Sequence, residues 1–136
     1  MPTIAGDRGV EGAGAARRLT LRRSDRICRR TDFRETYASG RKTVCRWLVF
    51  FSRATGLGNP RLGITVTKRC GGAVTRNRVR RRVRELFRTG FREELLRTCP
   101  GGVDVVVNVR PEGAAAPQAD LAADFRRLVS RLGGAR

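Results

Sequence analysis

Residues 73–88, AVTRNRVRRRVRELFR, constrain this chain more than any other stretch, because they read as a helix with a single thin apolar seam. At the helical advance of ~100° per residue, Val79, Val83, Leu86 and Phe87 fall on one side. Arg78, Arg81, Arg82 and Arg88 fan across the opposite side, Arg80 and Arg84 flank the seam, and only Glu85 interrupts the outward arc. So dense a cationic surface repels itself unless a polyanion lies against it, and a phosphate backbone is the obvious candidate. A merely solvated helix face normally mixes both signs, which this one barely does.

The rest of the composition agrees. The 136 residues carry 30 Lys plus Arg against 12 Asp plus Glu, a formal charge of +18. That length argues for one domain with a modest core, and a domain this basic usually meets nucleic acid rather than an anionic membrane. Lys42 and Lys68 are the only lysines. Arginine bonds phosphate bidentately and stacks on bases, which suits RNA, although GC-rich codons enrich it without any function. No apolar run approaches the ~20 residues needed to span a bilayer, and the N-terminus lacks a strongly apolar signal segment, so a cytoplasmic protein is expected. Cys28, Cys45, Cys70 and Cys99 form no CxxC pair, and the chain has no His. A zinc site would need all four thiolates to converge from separate elements, so the plain reading is four independent reduced side chains.

Along the chain, residues 1–18 are Gly/Ala-rich and aperiodic and read as a disordered tail, residues 19–133 as the domain, and 134–136 as a short end. Thr31 to Gly40 has the marks of a short helix, with Thr31 as its cap, Asp32 and Glu35 in its early turns and Gly40 at its end. Phe33 and Tyr37, four apart, share a face. Trp47 to Phe51 is a strand candidate, and Leu62 to Thr67 alternates as a second. The turn cluster Gly56 to Pro60 between them predicts an antiparallel hairpin. Val103 to Val109 alternates too, with Val103, Val105, Val107 and Val109 inward and Asp104 and Asn108 outward. Gly90 should kink or break the basic helix, and Pro111 to Pro117 should be a loop. Leu121, Phe125, Leu128, Val129 and Leu132 mark a last helix ended by Gly133 and Gly134. The expected architecture is α+β, a small sheet with packed helices in the order α-β-β-α-β-α.

The stretch Lys68 to Arg88 resembles the protein component of bacterial ribonuclease P. In that family a strand ending in basic residues leads through a Gly/Ala turn into an Arg-Asn-Arg helix, here Arg76, Asn77 and Arg78, with further basic residues at Arg81, Arg84 and Arg88. Asp32 and Phe33 on the first helix, Gly40-Arg41 at its end, and the strand Leu62 to Lys68 match in order, and the likeness runs from about Leu21 to Leu132. It implies a left-handed βαβ crossover, against the usual right-handed rule. It also implies binding of the catalytic ribonuclease P RNA and help in cleaving the 5′ leader from precursor tRNA. The protein itself would hold no cofactor, with magnesium entering through the RNA. By resemblance, Lys68, Arg69, Arg76, Asn77, Arg78, Arg81, Arg82, Arg84 and Arg88 face the RNA subunit. Phe33, Tyr37, Phe51, Thr65 and Thr67 line a cleft for the single-stranded leader, whose bases would stack on the rings. The family usually has more Lys where this helix has Arg, as at Arg81, and residues 1–18 fall outside the match.

Plainer readings stand beside these. Phe33 and Tyr37 can form the core face of a short helix, although the resemblance implies that they are partly exposed, and Asn77 can serve the helix's first turn rather than RNA. Catalysis by the protein is not expected. The chain has no His, no paired-carboxylate motif, no Walker loop and no Ser/His or Cys/His arrangement. Two other functions fit the charge. A ribosomal-type rRNA-binding protein of related fold would look alike electrostatically but has no use for an open aromatic cleft. A reader of duplex DNA would need more Asn or Gln on the helix to recognise adenine, so duplex DNA is not an expected partner.

Overall fold

A computed structural model of the chain describes residues 21–134; the expected tail at 1–18 lies outside them. Arg41–Val44 (β1), Leu48–Ala54 (β2), Arg61–Thr65 (β3) and Val103–Val109 (β4) form one sheet in the spatial order β1-β2-β4-β3. The β1–β2 and β2–β4 pairs are antiparallel, and β3–β4 is parallel. Side-chain alternation along these strands separates two faces. Leu48, Phe50, Leu62, Val105 and Val107 point to one face and are buried in the main core. Phe51, Gly63, Thr65, Asp104, Val106 and Asn108 belong to the other.

The predicted hairpin between Trp47–Phe51 and Leu62–Thr67 does not form. β4 lies between β2 and β3, and the hairpin partner of β2 is β1, a short strand that adds an element to the expected order. The physical reason lies in β4, where Val106 is as fully buried as Val105 and Val107. A strand buried on both faces needs a layer above and below it, and this one sits in the middle of the sheet with a neighbour on each side. Trp47 precedes β2 rather than starting it, and Thr67 lies past the end of β3.

The principal core is closed by helices on one face only. Ala73–Leu86 (α2) leads through a π-helical turn, Phe87–Phe91, into Arg92–Thr98 (α3). The break expected at Gly90 therefore takes the form of a wider turn, which keeps both Phe87 and Phe91 buried. Gln118–Gly134 (α4) packs alongside, with the two expected glycines as its last residues. The buried ring of Phe125 meets Phe50 edge-on at 5.1 Å and stacks with Phe91 at 5.0 Å. The expected loop at Pro111 carries a 3₁₀ turn, Pro111–Ala115.

Arg30–Ser39 (α1) covers the opposite face, against β2 and β4. Thr31 lies inside this helix rather than capping it, and no side chain caps the N-terminus. Gly40 ends it, its N–H donating to Thr36 O at 2.9 Å. A Cβ at Gly40 would collide with the carbonyls of Thr36 and Ser52, so the close approach of helix end to strand needs glycine there. Because α1 covers this face, Asp104, expected to point outward to solvent, is fully buried.

Candidate nucleic-acid interface

The outward face of α2 presents the arginines the periodicity placed there, with two exceptions. Arg78, Arg81, Arg84 and Asn77 are exposed, and Lys68 and Arg69 continue the surface from the preceding 3₁₀ turn. Arg76 is half-buried. Asn77 accepts a hydrogen bond from Arg80 at 3.1 Å, which aligns two polar side chains along the surface. Arg82, by contrast, turns inward. It donates to Gln118 Oε1 at 2.8 Å, to Ala114 O at 3.3 Å and to Ala116 O, tying α2 to the entry of α4. Arg88 is held by Glu85 through hydrogen bonds of 3.1 and 2.6 Å, and that contact pulls the Glu85 carboxyl below its usual pKa.

Across the sheet, α1 and the strands build a cleft of different chemistry. The register aligns Lys42, Phe51, Val106 and Gly63 in one row and Val44, Val49, Asn108 and Thr65 in the next. Tyr37 stands over both rows. Its hydroxyl donates to Asn108 Oδ1 at 2.5 Å and lies 2.9 Å from Thr65 Oγ1, which therefore donates to it. The Tyr37 ring meets Phe51 edge-on at 4.8 Å, with Lys42 Nζ 5.8 Å from the Phe51 centroid. Tyr37 is 36% exposed and Val44 56%, so this half of the sheet is open beside the helix. Phe33, half-buried, lies directly on Gly63, where a Cβ would sit only 2.7 Å from the ring. The structure thus gathers Phe33, Tyr37, Phe51 and Thr65 on one face and leaves exposed Thr67 just beyond it.

One end of the cleft is closed by buried charge. Asp104 receives hydrogen bonds from Arg61 at 2.8 and 2.6 Å and from Arg53 at 3.3 Å. Both arginines also reach Asp32 in the first turn of α1, at 3.3 and 3.8 Å. The hydrogen bond to Asp104 is the main cause of the raised pKa of Arg61. This cluster pins the helix to the sheet. Near Phe33, a crevice of about 160 Å³ runs round the edge of β3 to Arg80 and Arg84, so the two surfaces meet there.

Asn108, Lys42 and Gly63 were missed from sequence as cleft residues. Asn108 was read only as an outward position, because its pairing opposite Thr65 follows from the register of the parallel β3–β4 contact, which alternation within one strand does not carry. Among the described residues, no group of three or more His, Cys, Asp or Glu side chains is placed to hold a metal ion. None of their helices is long and apolar enough to cross a membrane.

Comparison with known proteins gives a consistent result. The profile of the ribonuclease P family matches residues 21–133. The ribonuclease P protein component of Acidothermus cellulolyticus is 37% identical over 109 residues, covering 79% of this chain and 87% of that protein. The one from Gluconacetobacter diazotrophicus is 38% identical over 112 residues, 82% of this chain and 93% of the relative. Among solved structures, the RNase P protein from Thermotoga maritima superposes with a TM-score of 0.66 at 28% identity, over 78% of this chain and 96% of that one.

Proposed function

The chain belongs to the ribonuclease P protein family, and from that membership and the two surfaces we infer how it works. It is the RNA-associated subunit of an endoribonuclease that matures the 5′ end of tRNA, and its partner is the ribonuclease P RNA. The supporting observation is the division of chemistry across one sheet. On one side lies a cationic helix whose outer Arg78, Arg81 and Arg84 have no acidic partner among the described residues, and on the other an aromatic, hydroxyl-lined cleft.

In this reading Arg78, Arg81 and Arg84, with Lys68, Arg69, Arg76 and Asn77, hold phosphates of the RNA subunit. Arg82 and Arg88 contribute by fixing α2 and its neighbours. The leader of precursor tRNA lies in the cleft, its bases against Phe33, Tyr37 and Phe51 and its polar edges near Thr65 and Asn108. Thr67 flanks its end. Stacking on aromatic rings contributes about 1–3 kcal/mol per base and tolerates any base, as a substrate class with varied leaders requires. The protein supplies affinity and orientation, and magnesium enters with the RNA, which carries the reaction. The setting is the cytoplasm, in keeping with the unbridged thiols of Cys28, Cys45 and Cys70.

The test combines the protein, bacterial ribonuclease P RNA and 5′-labelled precursor tRNA at low magnesium, with RNA alone as control. Release of the intact leader only, or much faster, with protein present is the expected result. Tight RNA binding by folded protein without stimulation would overturn the assignment in favour of an rRNA-binding role.

A further inference from the structure

The turn between β1 and β2, residues 45–47, lies outside both surfaces described above, yet it is built like a contact for single-stranded RNA. It is held rigid from two sides. The backbone N–H groups of Trp47 and Leu48 donate to one carboxylate oxygen of Asp124 on α4, at 2.9 and 3.1 Å. From the other side, Arg110 donates its N–H to Trp47 O at 3.0 Å and its guanidinium to Cys45 O, also at 3.0 Å. On this fixed loop the exposed guanidinium of Arg46 lies over the Trp47 ring, 4.6 Å from its centroid. A guanidinium supported on one face by an indole presents its other face to a base and its N–H edge to a phosphate, with little further ordering needed.

The surroundings are cationic. Arg127 and Arg131, exposed on α4, follow Asp124 by about one and two turns on the same face of the helix, which sets them on the flank of the turn that carries Arg46 and Arg110. No carboxylate of the described residues pairs with any of these four arginines. Asp124, whose carboxylate meets the turn, is 4% exposed and engaged by the backbone of the turn. Four such charges on one flank repel one another unless a polyanion spans them.

Position selects the occupant. Val44 and Val49, at the open row of the cleft, flank the turn in sequence, so a strand lying along that row passes Arg46. The turn joins β1 to β2, across β4 from β3, and it is at the β3 edge that the crevice leads from the cleft to Arg80 and Arg84 on α2. RNA held on α2 therefore meets the cleft from the β3 side, and a strand crossing it departs on the β1 side. We propose that Arg46, propped by Trp47 and flanked by Arg127 and Arg131, binds the part of the precursor leader furthest from the cleavage site, after it leaves the aromatic cleft. The proposal rests on the leader reading of that cleft.

The experiment measures equilibrium binding of precursor tRNAs to the holoenzyme, under non-cleaving conditions, as the leader is lengthened one nucleotide at a time. Trp47 is the sole tryptophan of the chain, so its emission reports on the turn directly. The expected result has two parts. Arg46→Ala and Arg127→Ala bind short-leader substrates like the unaltered protein but lose about five- to tenfold on long leaders, the lower range for one stacked base. In the unaltered holoenzyme, Trp47 emission changes at the same leader length. Variants that follow the unaltered protein at every length, or an unresponsive Trp47, overturn the proposal while leaving the leader cleft intact. Weaker assembly with the RNA subunit, equal for all leaders, overturns it by assigning the turn to that RNA instead. If leader length never affects binding by the unaltered holoenzyme, the cleft reading fails and the proposal fails with it.

Discussion

Asp104 shows how much one side chain can decide. It is fully buried between two guanidinium groups that also hold Asp32 of α1. Removing one partner of a buried charge cluster leaves the others unpaired, at about 3–5 kcal/mol. Asp104→Ala is therefore expected to lower unfolding free energy by about that amount, measured by urea denaturation, and to weaken precursor binding by loosening α1. Alternation marked position 104 as the second face of β4, but only the docking of α1 makes that face an interior. The cysteines separate by the same logic. Cys28 is exposed, whereas burial, with Asp124 nearby, raises the pKa of the Cys45 thiol. A maleimide or disulfide reagent at pH 8 should label Cys28 rapidly and Cys45 only on unfolding, as peptide mapping would show.

The elements differ in how legible they were. Helix α2 was plain in the sequence because a seam of Val79, Val83 and Phe87 under arginine can be read from period alone, and all three are buried. Strand β1 was invisible, since Arg41-Lys-Thr-Val44 has one buried side chain, Thr43, and only its pairing with β2 defines it. The hairpin error came from taking neighbours in sequence as neighbours in the sheet, a preference overridden by β4, which is buried on both faces and lies between β2 and β3. Gly90 was a sound signal whose outcome was local geometry. A Cβ there meets nothing within 4 Å, and the backbone is not in the left-handed region. Gly90→Ala should therefore raise stability by up to about 1 kcal/mol, through the lower chain entropy of the unfolded state, seen as a higher denaturation midpoint. A loss of stability would mean that the π turn itself needs glycine.

For the whole molecule, a charge of +18 makes RNA affinity a function of salt. Arg78 and Arg81 are exposed on α2, whereas Arg82 holds α4. Replacing both Arg78 and Arg81 by Ala should weaken RNA-subunit binding and flatten the log–log salt dependence by about 0.7–0.9 for each phosphate no longer neutralised, with the melting temperature unchanged. Arg82→Ala should do the reverse, lowering the melting temperature with a smaller change in salt slope. Filter binding across a salt series, run beside thermal unfolding, separates the two. If Arg82→Ala flattened the slope as strongly as the outer pair, its inward hydrogen bonds would not describe its role in the complex.

The sequence by itself determined the basic helix, the α+β class, the valine strand, and the aromatic pair on the first helix. Each rests on local periodicity or on a motif of adjacent residues, information that one segment carries alone. Tertiary structure decided the strand order, the burial of Asp104, the inward turn of Arg82, and the meeting of Tyr37 with Thr65 and Asn108 across 28 and 71 residues. These depend on which segments become neighbours. That choice is made by the total burial of apolar surface and the pairing of buried charge, and no single window of sequence contains it.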